Sequence, residues 1–282
     1  MPTASKKIKI TKHIEIGGSS PFFLIAGPCV IENQDHASFL AKEIKEICEN
    51  LQITFIFKAS FDKANRSSLK SFRGPGFEKG LKILLEIKNC LNIPILSDVH
   101  ETNQVKKVAE ILDIIQIPAL LCRQTDLIVA AAKTQKPLNI KKGQFLSPNE
   151  MKNVLEKALN QGNEKIILTE RGTVFGYNNL VFDIRSIPIM KSFGFPVAID
   201  ASHSIQKPGG EGTMSGGESE FIPFVAKAGV SVGADGVFLE VHDNPQKALS
   251  DGFNSLNLIN LKHLLHSLLQ LRKARDSFST SQ

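Results

Sequence analysis

A dense group of cationic and polar side chains occupies residues 58–68, directly after a short apolar run at 53–57. The segment reads KASFDKANRSS and contains two lysines, one arginine, one asparagine and three serines. Lysine binds phosphate as a point charge, and arginine binds it through a planar fork of N–H donors. This composition therefore predicts a site for an anion of high charge, and the alternative is a solvated surface loop.

Alternating strands and helices are expected to hold this segment in place, because short apolar runs alternate with amphipathic helical patterns along the chain. The predicted strands are 22–26, 53–57, 93–96, 114–117, 138–140, 165–169, 197–200 and 236–240. The predicted helices are 36–51, 77–91, 101–112, 124–133, 148–160, 180–192, 217–229 and 256–272. Eight such units in 282 residues predict one α/β domain over residues 1–282, a (β/α)8 TIM barrel. An open doubly wound sheet is the alternative, and it is disfavoured because neither of its usual glycine-rich phosphate motifs is present.

The ends of the chain lie outside the repeating pattern. Isoleucines alternate with polar residues at 6–17, which predicts an N-terminal β-hairpin within residues 1–18. Residues 275–282 are polar and are expected to fray. Within the repeat, Pro188 is expected to kink or end the helix at 180–192, and the glycine-rich segment 209–217 is interpreted as a lid over the site.

The carboxyl ends of the strands carry two chemically distinct groups of residues, and chemistry in a barrel of this type lies at those ends. Cations follow strands 2, 5 and 6, namely Lys58, Lys63, Arg66, Lys141 and Arg171. Candidate metal ligands follow strands 1, 7 and 8, which adjoin in a closed barrel, namely Cys29, His203, Glu240 and Asp251. Other polar residues at these ends are Glu32, Ser60, Asn65, Asp98, His100, Gln116, Asn139, Gln144, Asp200 and His242.

The candidate ligand set suits zinc or ferrous iron, which accept thiolate, imidazole and carboxylate ligands. Spacing alone is a weak signal, because the four residues are scattered through the sequence. Each residue also has a purely structural alternative. In that case Cys29 is a buried apolar side chain, His203 is a hydrogen-bonded core histidine, and Glu240 pairs with a barrel lysine. A Schiff base at Lys58 or Lys141 is a further alternative, but it needs fewer cations than this chain provides.

Bulk properties narrow the class of protein. No run approaches the ~20 apolar residues of a membrane span, and the first residues have no apolar signal region. Four cysteines without a CxxC pair predict a reducing compartment, hence the cytoplasm. The net charge of +6 leaves a nucleic-acid or anionic-ligand binding protein as an alternative, but one Tyr and no Trp offer little base stacking. We therefore expect no nucleic acid and no membrane among the partners.

Several motifs resemble those of the 3-deoxy-D-manno-octulosonate 8-phosphate synthases over residues 22–265. The motifs are IAGPCVIE (25–32), KASFDKANRSS (58–68), FRGPG (72–76), SDVHE (97–101), IQIPALLCRQTDL (115–127), NIKKGQF (139–145), ERGTVFGYNNLVFDIRS (170–186), DASHSIQKPGG (200–210) and EVH with ALSDG (240–252). The resemblance implies a homotetrameric transferase that condenses phosphoenolpyruvate with D-arabinose 5-phosphate and water and releases phosphate. Its product enters the lipopolysaccharide core, which implies a Gram-negative-type cell envelope.

The resemblance also implies roles for individual residues. The expected phosphoenolpyruvate contacts are Lys58, Lys63, Lys141, Gln144 and Arg171. Asn65 and Arg66 match the sugar-phosphate pair, with Arg66 reaching the site of a neighbouring subunit. The expected substrate wall further contains Ser60, Ser67, Asp98, His100 and Gln116. The residues expected to take part in catalysis are Cys29, Lys63, His203 and Asp251.

Cys29 is similar to the residue that separates two branches of this family. One branch has asparagine there and needs no metal, whereas the other has cysteine and binds a divalent metal. The resemblance thus implies a zinc, iron(II) or manganese ion held by Cys29, His203, Glu240 and Asp251. The related DAHP synthases, which use erythrose 4-phosphate, are the alternative, but they usually show KPRTS where this chain has KANRSS at 63–68. Asp243 stands where relatives often have proline, which bears on loop shape only.

Overall fold

Eight parallel strands close into a barrel in the structure, a computed structural model that describes residues 5–66, 68–211 and 214–279. The strands are β1 (Phe23–Gly27), β2 (Thr54–Lys58), β3 (Ile95–Asp98), β4 (Ile114–Ile117), β5 (Leu138–Lys141), β6 (Ile166–Glu170), β7 (Val197–Asp200) and β8 (Gly236–His242). Each strand pairs with the next one, and β8 pairs with β1 to close the sheet. The predicted (β/α)8 barrel is confirmed.

A helix follows each strand and packs on the outside of the barrel. The helices are α1 (Gln34–Asn50), α2 (Phe77–Leu91), α3 (Thr102–Ile111), α4 (Thr125–Lys133), α5 (Met151–Leu159), α6 (Ser186–Lys191), α7 (Ile222–Ser231) and α8 (Leu258–Ser279). Outward-facing strand residues form one large core with these helices, for example Leu24, Phe57 and Ile140. None of the helices in the described ranges is both long and apolar enough to cross a bilayer.

The inside of the barrel changes from apolar to charged along its axis. Phe23, Ile25, Ile56 and Phe238 belong to a second, separate core at the amino ends of the strands. Successive residues of a strand point to opposite faces, so every second residue continues along the interior. That register leads from Ile56 to Lys58 and from Phe238 to Glu240, and both charged residues are buried. The apolar floor therefore supports a layer of charged side chains at the carboxyl end.

The N-terminal hairpin closes the floor of the barrel. Ile8–Lys9 pairs with Glu15–Ile16, as predicted, and Ile8, Ile10 and Ile16 join the inner core. Ile16 is fully buried. The hairpin thus excludes water from the amino end of the barrel, leaving the opposite end for chemistry.

Three helix predictions need correction. The predicted helix 180–192 is wrong in its first half, because Thr173–Val174 and Leu180–Val181 form an antiparallel hairpin whose apolar residues mimic a helical pattern. Pro188 lies in the first turn of α6 (Ser186–Lys191), where a proline removes no helical hydrogen bond, so it neither kinks nor ends the helix. α7 begins only at Ile222, because Met214–Gly217 is instead a strand that pairs with Gln206–Glu211. Residues 212–213 lie outside the described residues, and the lid interpretation of 209–217 stays a prediction.

The C-terminal helix begins later and ends later than predicted. Leu256–Asn257 pairs with β8 before α8 begins at Leu258. α8 then continues to Ser279, so the frayed tail predicted from 275 was placed too early. Arg275 explains the difference, since its guanidinium donates to the carbonyl oxygen of Val230 at 2.8 Å and ties the helix end to α7. Residues 280–282 lie outside the described part of the chain.

Candidate active site

A buried ion pair joins β2 and β8 at the barrel mouth. Lys58 Nζ donates to Glu240 Oε1 at 3.1 Å and to the carbonyl oxygen of Cys29 at 2.9 Å. β1, which carries Cys29 just beyond its end, lies between the two strands. Gly27 permits this crowding, because a Cβ atom there would lie 2.1 Å from the carbonyl oxygen of Lys58. Lys58 therefore links two of the candidate metal ligands.

Asp200 at the end of β7 is the centre of a second buried ionic cluster. Its Oδ2 lies 2.7 Å from Lys141 Nζ and 2.8 Å from His203 Nδ1. The Lys141 ammonium also lies 3.8 Å from the centre of the Phe238 ring, a cation–π contact. Burial alone would raise the pKa of Asp200, but His203 and Lys141 lower it below its usual range. Asp200 is thus an anion that holds both neighbours in place.

The contact with Asp200 also fixes the proton on His203. An ionised carboxylate only accepts hydrogen bonds, so Nδ1 carries the proton and Nε2 carries the lone pair. Nε2 lies 3.5 Å from Glu240 Oε1. Burial lowers the pKa of His203 below its ordinary value, so the imidazole is neutral near pH 7. A neutral imidazole with a free Nε2 is the form that binds a metal.

Cys29 and Asp251 form the other half of the candidate ligand set. The Cys29 thiol donates to Asp251 Oδ2 at 3.0 Å, and its sulfur lies 2.9 Å from Ser250 Oγ. Burial and the charge of Asp251 raise the pKa of the thiol to about 12. Burial would also raise the pKa of Asp251, but Lys63, His203 and the thiol hold it at about 2. Asp251 has φ of +49°, a left-handed backbone conformation that is uncommon outside glycine and often found at functional sites.

The donor set fits a divalent cation. A thiol, an imidazole with a free lone pair and two carboxylates are ligands of zinc and ferrous iron. Glu240 Oε2 is buried and has no hydrogen-bond partner among the described residues, so it has an unused acceptor. The four residues form two pairs, Cys29 with Asp251 and His203 with Glu240, and no three of these four described residues present ligand atoms within 4.8 Å of one another. A cation between the pairs would relieve the repulsion that raises the pKa of Cys29.

The cationic side of the mouth has unused hydrogen-bonding atoms as well. Arg171 donates from one terminal nitrogen to Gln206 Oε1 at 3.0 Å, whereas its Nη1 is buried without a partner in the described chain. Arg66 Nη2 and Gln144 Oε1 are also buried and unpartnered there. Buried polar atoms in folded proteins are nearly always hydrogen-bonded, so unpartnered ones at a single mouth indicate where a polar ligand binds.

A third polar group lines the wall formed by β2, β3 and β4. Ser60 Oγ donates to Asp98 Oδ1 at 2.6 Å, and Asp98 Oδ2 lies 3.0 Å from His100 Nε2. Burial would raise the pKa of Asp98, but the contact with His100 and the charges of Lys58 and Lys63 lower it. Next along the wall, Gln116 accepts a hydrogen bond from Asn139 at 2.9 Å. The wall therefore presents a fixed carboxylate and amide to the mouth.

Asn65 lies apart from the buried site residues. Asn65 is exposed at the rim, and Ser67 lies outside the described residues. Arg66 Nη1 lies 4.0 Å from Asp251 Oδ1 of its own chain. The reach of Arg66 into a neighbouring subunit stays a prediction.

Sequence reasoning gave no role to Lys142, which the structure buries completely. Its ammonium donates to the carbonyl oxygens of Gly143, Leu146 and Gly172 at 3.2 Å each. These bonds tie the loop after β5 to the loop after β6, which carries Arg171 just before Gly172. The two consecutive lysines of NIKKGQF indicate this difference in role. Adjacent residues at a strand end point to opposite sides, so only one of the two lysines can face the barrel interior.

Comparison with known proteins identifies the family. A sequence model described as the DAHP synthetase I family matches residues 5–277. This chain belongs to that family. It is similar to the 2-dehydro-3-deoxyphosphooctonate aldolase of Geobacter sulfurreducens, with 55% identity over 255 residues, which are 90% of this chain and 94% of the relative. The enzymes of the same name from Desulfatibacillum aliphaticivorans and a Cyanothece species are 54% and 52% identical, over 94% and 95% of this chain and 97% and 98% of their own lengths.

Replacement of Asp200 by asparagine tests the second ionic cluster. Asp200→Asn leaves Lys141 buried beside a neutral amide, so we expect the free energy of unfolding to fall by about 3–5 kcal/mol. Urea denaturation measures this loss. The control is Asp183→Asn, which breaks an exposed pair with Arg185 and is expected to cost at most about 1 kcal/mol. Equal losses in the two variants would contradict a special role for Asp200.

Proposed function

We infer that this chain condenses phosphoenolpyruvate with D-arabinose 5-phosphate and water to give 3-deoxy-D-manno-octulosonate 8-phosphate and inorganic phosphate. The observation that carries this inference is the convergence of buried cations on one barrel mouth in a chain 52% to 56% identical to aldolases of a phosphorylated octulosonate. The product belongs to lipopolysaccharide core biosynthesis, and the enzyme is a transferase.

Charge explains why the mouth needs so many cations. Each substrate phosphate carries roughly −1.5 to −2 charges near neutral pH, and phosphoenolpyruvate adds a carboxylate. We place phosphoenolpyruvate against Lys141, Gln144 and Arg171, because Arg171 Nη1 is a buried hydrogen-bond donor without a partner in the described chain. Asn65 and Arg66 at the rim then meet the phosphate of the sugar. Holding both substrates in reacting geometry lowers the barrier by several kcal/mol.

Lys63 is suited to the developing negative charge on the sugar aldehyde. Burial opposes its protonation, but the neighbouring Cys29 side chain and the carboxylates of Asp251 and Glu240 outweigh burial and raise its pKa. Lys63 therefore remains an ammonium that can donate a hydrogen bond to the aldehyde oxygen as C3 of phosphoenolpyruvate attacks the aldehyde carbon. Water then adds at C2, and the C2–O bond to phosphate breaks.

We propose that Cys29, His203, Glu240 and Asp251 hold a divalent metal, of which zinc, iron(II) and manganese are the candidates. When bound, such an ion acts as a Lewis acid on a substrate oxygen or lowers the pKa of a water. Lys58 keeps Glu240 in position, and Asp200 keeps His203 in the binding tautomer. The unpartnered Glu240 Oε2 among the described residues supports this assignment.

We further propose a cytoplasmic homotetramer. Large apolar side chains are exposed on and near the hairpin at 173–181, including Phe175, Tyr177 and Phe224. Exposed apolar surface of this kind is typical of association surfaces. The cysteines are unpaired, which agrees with a reducing compartment.

The family name favours a second candidate, the condensation of phosphoenolpyruvate with erythrose 4-phosphate. Phosphate release with each sugar phosphate in turn distinguishes the two reactions. We expect turnover with arabinose 5-phosphate to exceed turnover with erythrose 4-phosphate by at least about 100-fold, which is roughly the effect of losing two good hydrogen bonds. Preference for the four-carbon sugar would show that the segment at 63–68 selects the shorter substrate.

Arg66 is expected to set the affinity for the sugar phosphate. Arg66→Ala removes a charge-assisted hydrogen bond, so KM for arabinose 5-phosphate should rise about 10- to 100-fold while KM for phosphoenolpyruvate changes little. Steady-state kinetics with each substrate varied in turn measures the two constants. Lys70→Ala is the control, because Lys70 is an exposed cation of the same loop. A similar rise in Lys70→Ala, or an unchanged KM in Arg66→Ala, would contradict this role.

A further inference from the structure

Glu32 lies just after Cys29 and is largely buried, with 14% of its side chain exposed. Its Oε1 accepts a hydrogen bond from the backbone N–H of Leu249 at 2.8 Å. The same oxygen lies 3.3 Å from His242 Nε2. One carboxylate oxygen thus contacts two distant parts of the chain.

Each contact of Glu32 involves a segment that carries a candidate metal ligand. Glu32 belongs to the connection that holds Cys29 after β1. His242 is on β8, which also carries Glu240. Leu249 lies in the loop 243–251, which ends at Asp251. Glu32 is therefore placed to fix the relative positions of three ligand-bearing segments.

The hydrogen bonds of His242 determine whether the cluster of Glu32, His36 and His242 is a metal site or a structural contact. Its Nδ1 accepts the backbone N–H of Asn244 at 2.9 Å and lies 3.1 Å from Asp243 Oδ1, and its Nε2 donates a hydrogen bond to Glu32. Both ring nitrogens are then in use. Glu32, His36 and His242 present ligand atoms within 4.8 Å of one another, but a metal at His242 would have to displace one of these hydrogen bonds. The cluster is accordingly a hydrogen-bonded clamp.

His36 extends the clamp to the start of the loop. Its Nε2 lies 2.9 Å from Asp243 Oδ1, and its ring lies 4.6 Å from that of His242. Asp243 is the first residue of the loop 243–251. The α1 side of the barrel therefore holds this loop at both Asp243 and Leu249.

We propose that Glu32 is a positioning residue that holds the loop 243–251 against the segment after β1, so that Asp251 meets Cys29. The backbone of Asp251 is in the left-handed region, so the loop needs outside contacts to keep this conformation. The proposal rests on the proposed metal site for its consequence in catalysis, but the positioning itself depends only on contacts within this chain.

Two variants at Glu32 test the proposal. Glu32→Ala removes the acceptor for Leu249 and His242, whereas Glu32→Gln keeps a carbonyl oxygen that can accept both hydrogen bonds. In the metal-free protein, we expect Glu32→Ala to increase amide hydrogen exchange at 251–255 and alkylation of Cys29 by iodoacetamide about 10-fold or more. In a Zn²⁺ competition titration, we expect its affinity to fall about 10- to 100-fold, as for other residues that orient metal ligands. Glu32→Gln should stay within a few-fold of the wild-type protein in all three measurements.

Each outcome decides the proposal. Unchanged exchange and alkylation in Glu32→Ala would overturn it, and so would equal effects of the alanine and glutamine variants, because the hydrogen bonds would then not be the cause. If the wild-type protein binds no Zn²⁺, the metal assignment fails, and exchange and alkylation still determine whether Glu32 positions the loop. If Glu32→Ala shows faster exchange but binds Zn²⁺ with the affinity of the wild-type protein, Glu32 orders the loop without positioning the metal ligands. That result would overturn its proposed role in metal binding.

Discussion

The barrel mouth depends on the pairing of charges that are shielded from water. Lys58 and Lys141 are only 1% and 6% exposed, and an unpaired charge at such a position costs several kcal/mol. Glu240 and Asp200 compensate them from strands that are not their neighbours, since β1 separates β2 from β8 and β6 separates β5 from β7. The Lys58–Glu240 pair therefore forms only when β8 pairs with β1 and closes the sheet, whereas the Lys141–Asp200 pair needs β5, β6 and β7 side by side. Folding and the assembly of the site are in this sense one event.

The same pairing prepares the mouth for its ligands. Asp200 holds Lys141 in place and fixes the proton of His203 on Nδ1, and burial lowers the pKa of His203, so its Nε2 is free. Lys58 occupies one oxygen of Glu240, and the other oxygen has no partner in the part of the chain that the structure describes. Each of these side chains thus uses only some of its hydrogen-bonding atoms within the network, and the remaining atoms face the mouth. At the opposite end of the barrel, the apolar floor and the N-terminal hairpin separate these atoms from bulk water.

Periodic features of the sequence were enough to predict the barrel and the cationic strand ends. The alternation of short apolar runs and amphipathic helices gave eight units, and barrel closure then placed Cys29, His203 and Glu240 on adjoining strands. The hairpin at 173–181 was missed because Leu180 and Val181 fit a helical pattern as well as a strand. The supporting contacts of Glu32 and Asp200 were missed for another reason. Leu249 and His242 are distant in sequence from Glu32, and Lys141 is distant from Asp200, so only the folded backbone brings these partners together. His203 is the exception, since it is three residues from Asp200.

Co²⁺ binding tests most directly the proposed role of Cys29 as a metal ligand at the mouth of this barrel. The metal-free protein would be titrated with Co²⁺ while its near-ultraviolet and visible absorption is followed. We predict a thiolate-to-cobalt charge-transfer band that disappears in Cys29→Ser and remains in Cys90→Ser, whose cysteine is exposed on α2. A cobalt spectrum without a thiolate band, or a band that survives in Cys29→Ser, would contradict the account.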